Sequence, residues 1–158
     1  MMRWGQFRAT RPDLAEEGRA LFYGHDVGLG FLATTRVDGG PRVHPICPLL
    51  TDEGLFGFIV PGPKLEDLRR DGRYALHTET YPPPRHDDAF SVTGTAVESQ
   101  EPELRQRLTR QLLTERTMEA PWPGFESESL IEFEIERCLL TLTIPRNGLP
   151  SGHTVWRS

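Results

Sequence analysis

The chain has 158 residues and a formal net charge of −5, with 37% hydrophobic residues, 15 glycines and 14 prolines. Apolar segments recur along the whole chain, which argues against a disordered protein, and the length is typical of one domain. The acidic balance disfavours nucleic acid or an anionic membrane as the main partner, because those partners require net or clustered positive charge. We therefore expect a single domain over residues 1–158 that binds a small molecule or another protein.

The first predicted element is a helix over about residues 11–24. Thr10 and Asp13 have the spacing of an N-terminal capping signal, and Leu21 and Phe22 belong to its apolar face. Three extended runs follow at residues 29–37, 42–50 and 54–60, and the turn sequences Asp38-Gly39-Gly40 and Asp52-Glu53-Gly54 separate them. Because Asp-Gly between β-prone runs is a strong hairpin signal, the pattern predicts an antiparallel meander.

Prolines interrupt the second of these runs. Pro45 and Pro48 have no N–H to donate, so this strand is predicted to lie at a sheet edge or to contain a bulge. Such a strand leaves free backbone groups for a ligand. Its Arg42 either reaches a phosphate or ring carbonyl or is a solvated side chain. His44 either meets a ligand or bonds to a backbone carbonyl.

The remaining elements alternate between strand and helix patterns. In order, they are a short helix from Pro63 to before Gly72, a strand at 73–80, a proline-rich loop at 81–88, a strand at 90–99, a helix from Pro102 to about Met118, a strand at 130–145 and an irregular tail at about 146–158. Gly94 marks a bulge or a close backbone approach. Six strands with few helices predict a mainly β fold, a small antiparallel barrel or sandwich with helices at its edges.

The short helix carries an unusual lysine in its first turn. The partial positive charge of a helix N-terminus repels the ammonium of Lys64 by about 0.3 to 1 kcal/mol. One interpretation is that Lys64 pairs with Glu66 or Asp67. The other is that it meets a bound phosphate, because free N–H groups at a helix N-terminus already attract an anion.

Cys47 and Cys138 lie far apart in apolar runs and lack the spacing of a metal site. We predict two unpaired buried thiols and no metal. The N-terminal residues contain no apolar core of the length of a secretion signal, and no run of about 18 apolar residues occurs. We therefore expect a cytoplasmic protein with no membrane partner.

Two segments together with a later strand resemble a known family. These are FLATTRVDGGPRVHPICPL, LFGFIVPGPKLEDLRRDGRYALHTE and the Val-x-Gly-x-Ala pattern from Val92 to Ala96. In their order they are similar to the flavin-binding split barrel family related to pyridoxamine 5′-phosphate oxidase. The resemblance covers roughly residues 28–100. It implies a six-stranded antiparallel split β-barrel with edge helices.

The resemblance also implies a set of cofactor-binding residues: Arg42, Val43, His44, Pro45 and Ile46 along the ribityl chain and ring, Phe58 and Ile59 at the end of the third strand, Gly62, Pro63 and Lys64 at the phosphate, and Trp156 near a partner subunit's flavin. The chain departs from the oxidase at the phosphate loop. Gly62 and Pro63 stand where the oxidase commonly has polar side chains, so two donors to the phosphate are missing. The oxidase's glutamine has no counterpart near Ala89.

By this resemblance the protein is a homodimeric oxidoreductase that holds FMN non-covalently and acts on a small molecule. No catalytic side chain is assigned, because the cofactor carries the chemistry. A first alternative is a reductase that uses the deazaflavin coenzyme, which related split barrels bind; Lys64 is the only lysine of this arginine-rich chain, a composition that hints at a high-GC bacterial source. A second alternative is a flavin- or haem-binding carrier or sensor without turnover.

Overall fold

The structure is a computed structural model, and it describes all residues from 1 to 158. The helices are α1 Trp4–Thr10, α2 Pro12–Phe22, α3 Pro63–Arg70 and α4 Pro102–Glu115. The strands are β1 Gly30–Thr35, β2 Pro41–Ile46, β3 Leu49–Leu50, β4 Leu55–Ile59, β5 Arg73–Thr78, β6 Ala89–Ser99, β7 Ser129–Leu142 and β8 Gly152–Arg157. A short 3-10 helix lies at Phe125–Ser127. The predicted fold class, a mainly β antiparallel sheet with peripheral helices, is confirmed.

All strands belong to one antiparallel sheet with the order β2-β1-β5-β6-β7-β4-β3, and β8 pairs with β7. β2 and β3 follow each other in the chain but lie at opposite ends of this order. Only Cys47 and Pro48 separate them, so the connection brings the two ends of the sheet together. The sheet therefore curls into a barrel that is split between β2 and β3.

The sheet contains eight strands, where the sequence predicted six. The run at 42–50 divides into β2 and β3, since Pro45 and Pro48 cannot donate to a continuous ladder. The tail at 146–158 was predicted to be irregular, which is wrong, because β8 extends the sheet along β7. Both hairpins of the predicted meander are present, since β1 pairs with β2 and β3 pairs with β4. The middle run is not one continuous strand, so the two hairpins lie at opposite ends of the sheet order, and β4 pairs in addition with β7.

Three local predictions concern single residues. β2 lies at the end of the sheet order, as its prolines predicted. The β6–β7 register shifts between Thr93 and Gly94, and a Cβ on Gly94 would lie 1.9 Å from the carbonyl oxygen of Glu134, which confirms the bulge and close approach. The Thr10 cap is wrong, because Arg11 precedes α2 and the Thr10 hydroxyl donates to the carbonyl of Gln6 within α1.

Two apolar clusters hold the barrel and its helices together. The larger fills the barrel and includes Trp4 and Phe7 of α1, both fully buried. The smaller lies outside it, where α4 packs on β3 and β4; its members are Leu49, Phe56, Leu104, Leu108, Leu112, Phe125 and Leu130. The leucine spacing in α4 thus places the end of this helix beside the split between β2 and β3. None of the four helices has the length and apolar character needed to cross a membrane.

Candidate functional site

The start of α3 presents free backbone donors. Gly62 precedes the helix with φ of 147°, a conformation that L side chains rarely adopt, and Pro63 follows at the first helical position. Glu66 N–H donates to the Gly62 carbonyl at 3.1 Å. Proline has no N–H, and the N–H groups of Lys64 and Leu65 donate to no backbone carbonyl. Two donors of the first turn therefore remain available to an anion.

The side chain of Lys64 is half-buried and forms no ion pair. Glu66 is exposed, and Asp67 is bound by other residues, so the predicted pairing with either carboxylate is absent. Burial lowers the pKa of Lys64, and the carboxylate of Glu128 partly opposes this effect. The ammonium therefore stands in a partly desolvated position without a direct ion pair.

Lys64 lines a cavity of about 330 Å³ at the split of the barrel. Its lining comes from β2, the β2–β3 connection, β4, α3, α4 and the segment before β7: Pro45, Ile46, Cys47, Phe58, Val60, Lys64, Leu112, Arg116, Trp122 and Glu128. Four of the predicted cofactor-binding residues, Pro45, Ile46, Phe58 and Lys64, thus meet in one cavity. They come from separate elements, which the barrel closure brings together.

The other predicted residues lie outside this lining. Val43 is 61% exposed on the outward face of β2, and His44 is exposed as well. Ile59 is fully buried in the barrel core, so its side chain reaches no ligand in the cavity. Gly62 and Pro63 shape the start of α3 without lining the cavity. Trp156 packs against Phe7 with ring centres 4.9 Å apart, on β8.

Arg42 holds the helix that carries Lys64. Its Nε–H donates to Asp67 Oδ2 at 2.7 Å, and the hydroxyl of Thr34 donates to the same oxygen at 2.9 Å. Arg70 Nη1 donates to Asp67 Oδ1 at 3.2 Å. Burial alone would raise the pKa of Asp67, but these three donors outweigh it and lower the pKa. A buried carboxylate thus joins α3 to β1 and β2.

The sequence did not predict one wall of the cavity. Arg116 at the end of α4, together with Trp122 and Glu128, forms it. Trp122 Nε1–H donates to Glu128 Oε1 at 2.7 Å, and the guanidinium carbon of Arg116 lies 5.3 Å from the Trp122 ring centre. No local pattern marks these residues, because only the packing of α4 on β3 and β4 brings them to the cavity.

The lining fits an anionic group attached to a planar ring. Lys64 and Arg116 supply positive charge, and the free N–H groups of α3 suit a phosphate. Ile46, Phe58 and Trp122 supply apolar and aromatic surface for a ring. The donor set therefore suits a ring-bearing anion better than a metal ion.

No family model matches the chain, and no curated protein matches it in sequence. Solved structures are similar in fold. One is a haem-binding protein from Mycobacterium smegmatis, with a TM-score of 0.66 and 15% identity over 91% of this chain. This chain spans only 57% of the length of that protein.

Two further structures are similar over most of their own length. A protein of Listeria innocua, provisionally described as a pyridoxamine 5′-phosphate oxidase, has a TM-score of 0.62 and 17% identity, covering 79% of this chain and 95% of its own. An F420 reductase has a TM-score of 0.56 and 19% identity, covering 70% of this chain and 87% of its own. The chain therefore has the split-barrel fold that the sequence predicted, the fold of flavin- and haem-binding proteins of the pyridoxamine 5′-phosphate oxidase type.

Proposed function

We propose that the protein binds FMN non-covalently in the cavity beside Lys64 and acts as a flavin-dependent oxidoreductase on a small molecule. The observation that carries this proposal is Lys64 itself. Its half-buried ammonium stands in the first turn of α3 without a carboxylate partner, next to two free N–H groups. This position is unfavourable to an isolated cation and favourable once a phosphate is bound.

The chain would bind the cofactor at its phosphate and at its ring. Lys64 and the N–H groups of Lys64 and Leu65 would bind the phosphate, and the apolar lining at Pro45, Ile46 and Phe58 would contact the ring. Bound FMN supplies hydride or electron transfer. The side chains would orient the ring, and none would need to act as an acid or base.

The proposal includes a homodimer. Phe31 of β1 and Val43 of β2 are 37% and 61% exposed on the outward face of the sheet. Phe31 is opposite Pro45, and Val43 is opposite Ala33, so these apolar side chains form one continuous surface. The free edge of β2 borders the same surface. A second copy of the chain would cover both, as an exposed edge strand requires.

A deazaflavin coenzyme is the second candidate ligand. The likeness in fold to an F420 reductase favours it, because that coenzyme combines a flavin-like ring with a phosphate-bearing tail. The lining of the Lys64 cavity suits both molecules, since each presents a planar ring and an anionic group. Haem is supported only by the likeness in fold to the mycobacterial haem-binding protein.

The absorbance spectrum of the purified protein, with the mass of the ligand released on denaturation, separates these candidates. The proposal predicts a flavin spectrum and the mass of FMN, or FMN uptake by colourless protein. A deazaflavin mass would support the second candidate. A Soret band, or protein that takes up none of these ligands, would contradict the proposed function.

A further inference from the structure

Arg116 differs from the arginines that hold the barrel together. Arg42, Arg70 and Arg146 each contact a buried carboxylate, whereas Arg116 has no carboxylate partner and no hydrogen-bond acceptor for its guanidinium. It is only partly exposed, and it lines the cavity that also contains Lys64. An unpaired guanidinium in such a cavity is available to an anionic ligand.

The backbone and neighbours of Arg116 fix its position. Arg116 ends α4, where its N–H donates to the Leu112 carbonyl at 3.1 Å, and Thr117 then takes a positive φ of 53°. The chain turns there toward Trp122, whose ring lies under the guanidinium. Trp122 is held by Glu128, and Arg105 donates to the Glu128 carbonyl at 2.7 Å. The wall is therefore built by hydrogen bonds and not by exposed side chains alone.

The charges of the cavity show what Arg116 contributes. Lys64 and Arg116 are cations, and Glu128 is the single carboxylate of the lining. Without Arg116 the side chains of the cavity would be neutral overall, although a phosphate monoester carries a charge of about −1.5 to −2 at neutral pH. Gly62 and Pro63 contribute no side-chain donor at the start of α3. Guanidinium also presents a fork of N–H groups that matches phosphate oxygens.

We infer that Arg116 is the second cationic ligand of the cofactor phosphate and replaces the side-chain donors missing from Gly62 and Pro63. This inference rests on the proposed function, since it assigns a residue to the same site. It assigns the end of α4 to cofactor binding, whereas the sequence pattern of α4 indicates only an apolar packing face.

The test compares Arg116→Gln with Arg110→Gln. Arg110 lies on the same helix, is exposed and does not line the cavity, so it controls for loss of a surface charge. Apo proteins are titrated with FMN and with riboflavin, which has the ring but no phosphate. We expect Arg116→Gln to raise the Kd for FMN by about 10- to 100-fold and to leave the Kd for riboflavin unchanged. Arg110→Gln should match wild type for both ligands.

Arg116→Lys keeps the charge but not the fork, so its affinity for FMN should lie between wild type and Arg116→Gln. Thermal melts of the apo proteins show whether Arg116→Gln folds. If it does not, Arg116→Lys takes its place in the test. Normal FMN affinity in Arg116→Gln, with FMN still preferred over riboflavin by wild type, would overturn this inference alone. An equal loss of affinity for FMN and riboflavin would also overturn it, because Arg116 would then contact the ring and not the phosphate. Wild type without affinity for FMN would overturn the proposed function as well.

Discussion

Arg42 on β2 and Asp67 on α3 form an ion pair, with Arg42 Nε and Asp67 Oδ2 2.7 Å apart. The side chain of Asp67 is only 4% exposed and that of Arg42 27%, so the contact is largely shielded from water. Thr34 of β1 donates to the same oxygen. The two strands at this end of the sheet are thereby fixed to the helix that begins beside Lys64.

Asp67→Asn should lower the free energy of unfolding at pH 7 by about 2 kcal/mol, because hydrogen bonds to a charged group become weaker neutral ones. Urea denaturation measures this change. Asp71→Asn is the matched control, since Asp71 pairs with the exposed Arg73 and a surface pair contributes little. Equal effects of the two substitutions would contradict a special role for Asp67.

The same carboxylate predicts a pH dependence. Its folded pKa is lower than its unfolded pKa, because the donors from Arg42, Thr34 and Arg70 outweigh burial. The stabilisation is therefore complete above the unfolded pKa of about 3.9 and is lost as the pH falls through the folded pKa. Wild type should lose stability more steeply than Asp67→Asn below about pH 4. Parallel stability curves for the two proteins would show that Asp67 does not cause the loss.

The predicted homodimer can be tested by substitution in the exposed apolar surface that contains Phe31 and Val43. Wild type should have about twice the chain mass by light scattering at micromolar concentration, and Val43→Asp should be monomeric because it buries a charge in the interface. Val155→Asp on β8 is the control, since Val155 is 46% exposed but lies on another strand. A monomeric wild type that still binds FMN would contradict the dimer.

The two cysteines should differ in reactivity. Burial raises the pKa of Cys138 to about 12, which keeps the thiol protonated and unreactive toward iodoacetamide near pH 8. The prediction that Cys47 is buried is wrong, because this thiol is partly exposed and lines the cavity. It should therefore be alkylated, more slowly when FMN is bound. Mass spectrometry of labelled protein measures both. A disulfide under non-reducing conditions, or loss of FMN binding from a folded double alanine variant, would contradict unpaired thiols that are dispensable for binding.

Local chemistry made part of the fold predictable. Prolines indicated the edge position of β2, and Gly94 indicated the bulge, because each acts through its own backbone. The pairing of β4 with β7 was missed because the paired residues lie 70 or more positions apart in the chain. α1 was missed because its two buried residues, Trp4 and Phe7, pack against distant parts of the chain, which no local pattern indicates.

The candidate site was predictable only where its residues lie in the segments that resemble the family. Lys64, Ile46 and Phe58 lie within the segments that resemble the family, and the cavity brings them together. Arg116 and Trp122 were not predicted, because they reach the cavity only when the leucine face of α4 packs on β3 and β4. The role of Trp156 toward a partner subunit stays a prediction.

The FMN affinity of Lys64→Ala is the measurement that most directly tests the central claim, that Lys64 binds the phosphate of the cofactor. If Lys64 binds a phosphate, the substitution should weaken FMN binding by about 1.5 to 3 kcal/mol, the range for a charge-assisted hydrogen bond. Riboflavin should bind both proteins equally. The apo variant should melt at the same or a slightly higher temperature, because a partly buried cation is removed from the start of α3.

Parallel titrations of FMN and riboflavin into wild type and Lys64→Ala, with melts of both apo forms, give all three results. A selective loss of FMN affinity from a stable variant is the result predicted here. Equal FMN affinity in the two proteins would contradict a phosphate-bearing cofactor at Lys64.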